Sequence, residues 1–295
     1  MKKASVIVFL SILFLSGVVF AQKAEKIKLE YNFKVGSKFN YKMNIDGDVT
    51  IGITQPDGQK LPPNKAKLRG EFLYKQHIIS VDSADKSANI SVTYGPCHMD
   101  TIIGESTIPN VDVPALEGKT AMITVARTGE VKEYKMPEAL PSSLKNADFK
   151  KMFVTFPDHE MRPGESWIRD DSQDQDTQSA SVKSVTHSKY TFLGRERKFG
   201  YECAKVNFKS ETATNTKTDR GLAYLDGEVK GSVDGVIYYD LDTGYIVYSD
   251  LETKIDNKIE TEQKQSASKE KEAARPNGKM ITHVNTYLHT ITQLF

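Results

Sequence analysis

An all-β protein built from long, strongly curved antiparallel sheets, half-open or barrel-like, is predicted by three observations. Apolar and polar residues alternate with period two again and again after residue 27. The alternating runs are separated by stretches rich in Pro and Gly. The 13 Tyr and 13 Phe fall mostly on the alternate, inward positions, against a single Trp. The reading is two similar β halves, 22–141 and 156–295, joined by a short helix and connector at 142–155.

The chain opens on a leader. Lys2 and Lys3 precede an apolar stretch from Ala4 to Phe20, and Val19-Phe20-Ala21 supplies the small-residue pattern of a signal-peptidase site. The expectation is export to the periplasm or cell exterior with cleavage near Ala21. An uncleaved anchor is the rival reading, since the run falls just short of the ~18 residues of a membrane span. Cleavage removes two lysines and no acid, which moves the formal net charge from +1 to −1 and leaves no basic footprint for nucleic acid.

The strands follow in order. Leu29, Tyr31 and Phe33 alternate with polar residues. After Gly36 the pattern resumes at Phe39, Tyr41, Met43 and Ile45, and after Gly47 at Val49, Ile51 and Ile53. Further runs occupy 68–81, 88–94 and 120–134, the last turning at Arg127-Thr-Gly-Glu130, where glycine supplies positive φ. Gln55 to Asn64 and Gly104 to Gly118 read as loops. Ser142 or Ser143 caps a helix from Leu144 to Phe153. Strands return at 181–192, 201–212, 222–239, 245–259 and 280–291, and the charged stretch 260–279 reads as a long hairpin loop. A weak repeat relates Val35-Gly-Ser-Lys-Phe39 to Pro163-Gly-Glu-Ser-Trp167, each followed by a strand–Thr–Gly–strand turn, at Thr128-Gly129 and Thr243-Gly244.

Residues that carry chemistry are sparse. There is no Gly-x-Ser-x-Gly elbow, no His-Glu-x-x-His helix, no phosphate-cradling glycine loop and no Cys-x-x-Cys pair. The histidines at 77, 98, 159, 187, 283 and 289 are scattered; His283 and His289 share a strand face but stand about 20 Å apart, too far for one metal. Asp170-Asp-Ser-Gln-Asp-Gln-Asp176 resembles the start of a calcium loop but lacks its glycine and its bidentate glutamate, Ser181 standing in the twelfth position. A solvated loop is the plainer reading. Asp240-Leu-Asp-Thr-Gly244 reads as a hairpin turn. Cys97 and Cys203 could form one disulfide across the halves or stay as two buried thiols. No catalytic, cofactor-binding or metal-ligating residue is assigned, and no enzyme activity is expected.

Phe295, Ile291 and Tyr287 share a face at the end of the last strand, faintly like the closing strand of an outer-membrane barrel. His289 and Gln293 lie on that face too, which favours a soluble sheet. The opening Leu-x-Tyr-x-Phe-x-Val-Gly-Ser-Lys-Phe-x-Tyr, the Pro-Gly-Glu-Ser-Trp restart, Gly-Tyr-Glu-Cys-Ala-Lys-Val and Gly-x-Ile-Tyr-Tyr-Asp-Leu-Asp-Thr-Gly together resemble exported bacterial β-rich proteins of unknown function. Their sheets are similar to the half-open barrels of periplasmic lipoprotein carriers. The resemblance implies a fold and a compartment and no catalytic residues. The expected function is non-catalytic: an apolar or lipid-like ligand held on a concave sheet. The alternative is a structural or adhesive module that binds another envelope protein through a sheet edge or loop.

Overall fold

A computed structural model describes residues 26–110, 113–137, 153–177, 179–219, 223–263 and 279–295. The expected leader, the helix from Leu144 up to residue 152 and the tip of the last hairpin lie outside the described residues.

Twelve strands form one open antiparallel sheet. They are β1 (Lys38–Thr54), β2 (Asn64–Val81), β3 (Ala88–Ile103), β4 (Ser106–Pro109), β5 (Thr120–Val125), β6 (Val131–Lys135), β7 (Ser166–Asp176), β8 (Ala180–Lys198), β9 (Tyr201–Asp219), β10 (Ala223–Asp240), β11 (Ile246–Gln263) and β12 (Met280–Leu294). Their order is β6-β5-β3-β2-β1-β12-β11-β10-β9-β8-β7, with β4 added to β3. Each half is a meander, because antiparallel neighbours need only a tight turn between them. The two meanders are fused where β1 pairs with β12, from Tyr41 opposite Leu294 to Thr54 opposite Ile281. The sheet is therefore continuous across both halves, and β6 and β7 are its free edges.

Besides β2, which opens at Asn64, and β8 and β9, which run on to Lys198 and Asp219, four boundaries differ from the sequence expectation. The β3 strand runs past Tyr94 to Ile103, with Pro96 in the gap between the stretch paired to β5 and the stretch paired to β4; there its missing N–H leaves no ladder bond unmade. The expected loop 104–118 contains β4 and a 3-10 turn, Val113–Leu116, whose Val113 and Leu116 are buried. The β11 strand continues through Glu260 to Gln263. The acidic run 170–176 is no loop: it is most of β7, paired to β8 from Asp170–His187 to Asp176–Ser181. One side of an edge strand is open to water, so alternating acids cost little there, and they blunt the edge against adding another chain.

The core gathers at one end of the long strands, where two irregular segments cross the sheet. Ile27, Leu29 and Tyr31 enter from the N-terminal side and Phe153, Val154, Phe156 and Met161 from the connector, all buried. Ile27 and Met161 exchange backbone hydrogen bonds of 2.9 and 2.7 Å. The two Thr–Gly turns noted in the sequence meet on this segment. The Tyr31 N–H donates to the Arg127 carbonyl at 2.9 Å, and the Asn32 N–H donates to the Thr243 carbonyl at 3.0 Å. Tyr31 is thereby clasped between the halves, its ring against Phe33, Phe156 and Tyr245 at centroid distances of 5.5, 5.1 and 5.5 Å. Burying rings of this size supplies about 1.5–3 kcal/mol each.

Candidate functional site: the uncharged face of the sheet

The ladder registers sort the side chains onto two chemically opposite faces. One rung reads Thr186, Thr212, Gly231, Ile255, Thr286, Val49 and Ala66 from β8 to β2. The next reads His187, Glu211, Ser232, Lys254, Tyr287, Asp48 and Lys67 and points the other way. The first pattern holds throughout. From β8 (180–192) through β9 (204–218), β10 (223–239), β11 (249–261), β12, β1 (39–53) and β2 to β3 (88–101), no charged side chain and no histidine projects from that face. Arg169 and Asp171 of edge strand β7 are the first charges met on it; they pair with each other at 3.0 Å, and Arg169 also donates to Thr155 Oγ1 at 2.5 Å.

The same face carries the core at one end and continues beyond it. Tyr41, Ile78, Val92, Tyr190, Phe192, Val206, Ile237 and Tyr239 are buried under the crossing segments. Farther along the same strands Val49, Ile51, Val229, Val233, Ile255, Ile259, Val284 and Leu288 are half-buried and belong to neither buried cluster. The opposite face is more open: Val185 is 58% exposed and even the small Ala213 is exposed. Close approach of adjacent strands shapes the uncharged side. A Cβ on Gly47 would lie 2.3 Å from the Tyr287 carbonyl oxygen, and one on Gly235 would lie 2.1 Å from that of Asp250, so only glycine fits at these two folds of the sheet.

Polar groups on this face are neutral. Ser184–Thr214, Thr186–Thr212 and Ser188–Ser210 form a ladder of hydroxyl pairs at 2.8, 3.0 and 2.9 Å between β8 and β9. The buried side-chain oxygens without a hydrogen-bond partner among the described residues are those of Gln76, Tyr239, Tyr245 and Asn257. Three lie under the core end; Asn257 stands at the half-buried end, between Val229 and Val284. Desolvation raises the phenols of Tyr31, Tyr41 and Tyr239 well above their ordinary value and pushes Tyr190 up to about 12, so the buried rings stay neutral.

The charged face carries an open groove of about 850 Å³ across β8 to β12 and β1, lined among others by Asp48, His187, Glu211, Lys230, Lys254 and Tyr287. Near the β8–β9 turn the Lys198 ammonium lies 4.2 Å from the Tyr248 ring centroid and 5.1 Å from that of Tyr238, a cation–π arrangement that its own lysine fills.

The residues singled out in the sequence are not brought together. His187 contacts Asp170 at 2.5 Å, His289 contacts Asp250 at 2.7 Å and His159 contacts Asp158 at 3.2 Å, in three separate places, and Asp250 also accepts from the Tyr248 hydroxyl at 3.4 Å. No group of three or more His, Cys, Asp or Glu able to hold a metal occurs among the described residues. The pattern 170–176 places its oxygens along a strand instead of around a loop. Cys97 and Cys203 are free and buried, the first within the main core and the second in a small cluster with Tyr238 and Val247. Tyr287, Ile291 and His289 project from the charged face of β12, opposite to Val284 and Leu288. Sequence reading passed over the hydroxyl ladder, although its signal is plain in the alternate threonines of Thr212 to Thr218.

No protein-family model and no curated protein matches the chain. Among solved structures it is similar to the outer membrane protease OmpT from Escherichia coli, at 7% identity and a TM-score of 0.15 over 90% of this chain and 99% of that one. Pseudomonas aeruginosa OccK11 matches at 6% identity and a TM-score of 0.21 over 90% and 100% of the two chains. OpdQ of the same organism gives 6% and 0.20 over 88% and 100%. At these scores the likenesses carry no argument about activity.

Proposed function

We propose that this chain is an exported, non-catalytic binding protein that holds an apolar or lipid-like ligand against the uncharged face of its sheet. The observation that supports this is the charge-free surface extending over eight strands, whose apolar side chains run on beyond the part the core covers. Burying a neutral apolar body there removes hydrocarbon from water at about 25 cal/mol per Å² and strands no charge. Export rests on the leader, and the half-open sheet agrees with the resemblance to lipoprotein carriers. An outer-membrane barrel would have to close its backbone ladder, whereas β6 and β7 are free edges here. The structural or adhesive reading has the groove on the charged face in its favour, but the acidic β7 edge is unsuited to strand addition. The test is mass spectrometry of an organic extract from mature protein purified out of its native envelope. A stoichiometric apolar compound is the expected result; protein that is empty, and that takes up no added amphiphile, overturns the carrier reading and moves the assignment to a protein partner.

A further inference from the structure

We propose that the end of the charged face around the β8–β9 turn docks on an anionic lipid bilayer, with Phe199 as the group that enters it. The turn is a two-residue hairpin: Lys198 pairs with Tyr201, and Phe199 and Gly200 have φ of +49° and +89°. Positive φ at both centres is the type I′ geometry, which favours Asn-Gly, and a bulky ring at the first position is an outlier. The Phe199 ring touches Tyr248 at a centroid distance of 5.8 Å, yet the residue stays 55% exposed, so packing alone does not account for it. Tyr201 and Phe295 are exposed as well, and Phe295 follows two residues after Gln293, the partner of Tyr248. Cations frame these rings. The rung Lys205, Tyr238, Tyr248, Gln293 and Lys42 begins and ends on lysine, and Lys75, opposite Asn40, and Lys38, opposite His77, extend it outward. Glu71 and Glu196 pair with Lys42 and Lys205 at 2.5 and 2.8 Å, whereas Lys38, Lys75 and Lys198 form no ion pair with a described residue. Exposed rings among unpaired lysines suit a headgroup layer, where rings reach the acyl boundary and ammonium groups meet phosphates. A convex hairpin tip needs no matching pocket in a fluid surface. A nucleic-acid strand fits less well, because the groove beside the rings carries Asp234, Asp250 and Glu252, which repel a polyanion. Docking of this kind does not depend on what the uncharged face holds.

The test is flotation of the mature chain with vesicles of phosphatidylethanolamine containing about one quarter phosphatidylglycerol, against vesicles of phosphatidylcholine, at about 0.1 M and about 0.5 M salt. The anionic vesicles are expected to bind at least about tenfold more tightly at the lower salt and to lose most of that advantage at the higher. Phe199→Asn puts the favoured residue into the turn, so it should leave the melting temperature unchanged or raise it. The same variant should weaken vesicle binding about 4- to 15-fold, the worth of burying the exposed half of the ring. Lys75→Gln, an exposed change, should cost about fivefold on the anionic vesicles and nothing on phosphatidylcholine. Equal binding to the two vesicle types, binding to neither, or a Phe199→Asn protein that binds unchanged overturns the proposal. Tighter binding to a soluble DNA duplex than to the anionic vesicles overturns it too and reassigns the lysines to a polyanion.

Discussion

Replacing Gly129 by alanine tests whether the clasp around Tyr31 holds the two halves of the sheet in one fold. Gly129 has φ of +91°, and a Cβ there would stand 2.0 Å from the Val154 carbonyl oxygen and 2.7 Å from a ring carbon of Tyr31. Gly36 is the matched control, with φ of +84° and nothing within 4 Å of the added atom. Both substitutions carry the left-handed backbone penalty of alanine, about 1–2 kcal/mol. At 129 the Val154 backbone must also retreat by about 1 Å. That breaks the bond from the Phe156 N–H to the Thr128 carbonyl, 2.7 Å, and the one from the Val154 N–H to the Tyr31 hydroxyl, 3.2 Å. Two buried bonds left unmade at about 1–3 kcal/mol each bring the total to about 3–8 kcal/mol. For a chain of this size, at about 2 °C per kcal/mol, that is a fall in Tm of about 6–16 °C, against about 2–4 °C for Gly36→Ala. Differential scanning calorimetry of the mature protein reads both. Equal losses for the two variants would show that backbone conformation alone sets the cost and that the clasp contributes nothing.

The tyrosine hydroxyls should separate by partner: Tyr31→Phe orphans the buried Val154 N–H and should cost about 1–3 kcal/mol, whereas Tyr239→Phe removes an unpartnered hydroxyl and should be neutral or stabilising, both by urea denaturation. Both cysteines should resist a thiol reagent at pH 8 in the folded protein and react fully once unfolded, since burial raises both thiols and pushes Cys203 up to about 11; rapid labelling of the native protein would contradict their placement. Lys132, 2.5 Å away, and Ser87 hold the Asp85 carboxyl well below its usual range. A depressed folded-state value means that the stabilisation is present at neutral pH and shrinks as pH falls below about 4, towards that value. Asp85→Asn should therefore lower Tm at pH 7 by more than at pH 2.5, and a pH-independent difference would refute the pairing. Replacing Asp170, Asp174 and Asp176 together by valine should make the protein self-associate, detectable by light scattering, because the β7 edge then lies unprotected.

How much was legible in the sequence depends on the range of the interaction that decides it. Alternation placed β1, β2, β5, β6 and the cores of β8 to β12, because side chains on successive residues point to opposite faces whatever the strand pairs with. It lost the ends. The β3 strand was ended at Tyr94, just before Gly95 and Pro96, and only the ladder shows that this stretch has no neighbour on its outer side. The acidic run of β7 was read as a loop because an edge strand in water need not alternate in hydrophobicity. The Thr–Gly turns were visible as a repeat, but their joint hold on Tyr31 brings together residues more than a hundred positions apart.

The sequence by itself determined the all-β class, the meander order within each half and the alternation that leaves one side of nearly every strand uncharged. Each of these follows from local stereochemistry and from the cost of burying charge. The tertiary structure alone decided that β1 pairs with β12, which aligns the uncharged sides of eight strands into one surface. It also decided that the two cysteines stay apart, that the Asp170 run is an edge, and that the Asn257 carbonyl oxygen is left without a donor. Those outcomes depend on register between segments distant in the chain, which period-two patterning leaves free by any even number of residues.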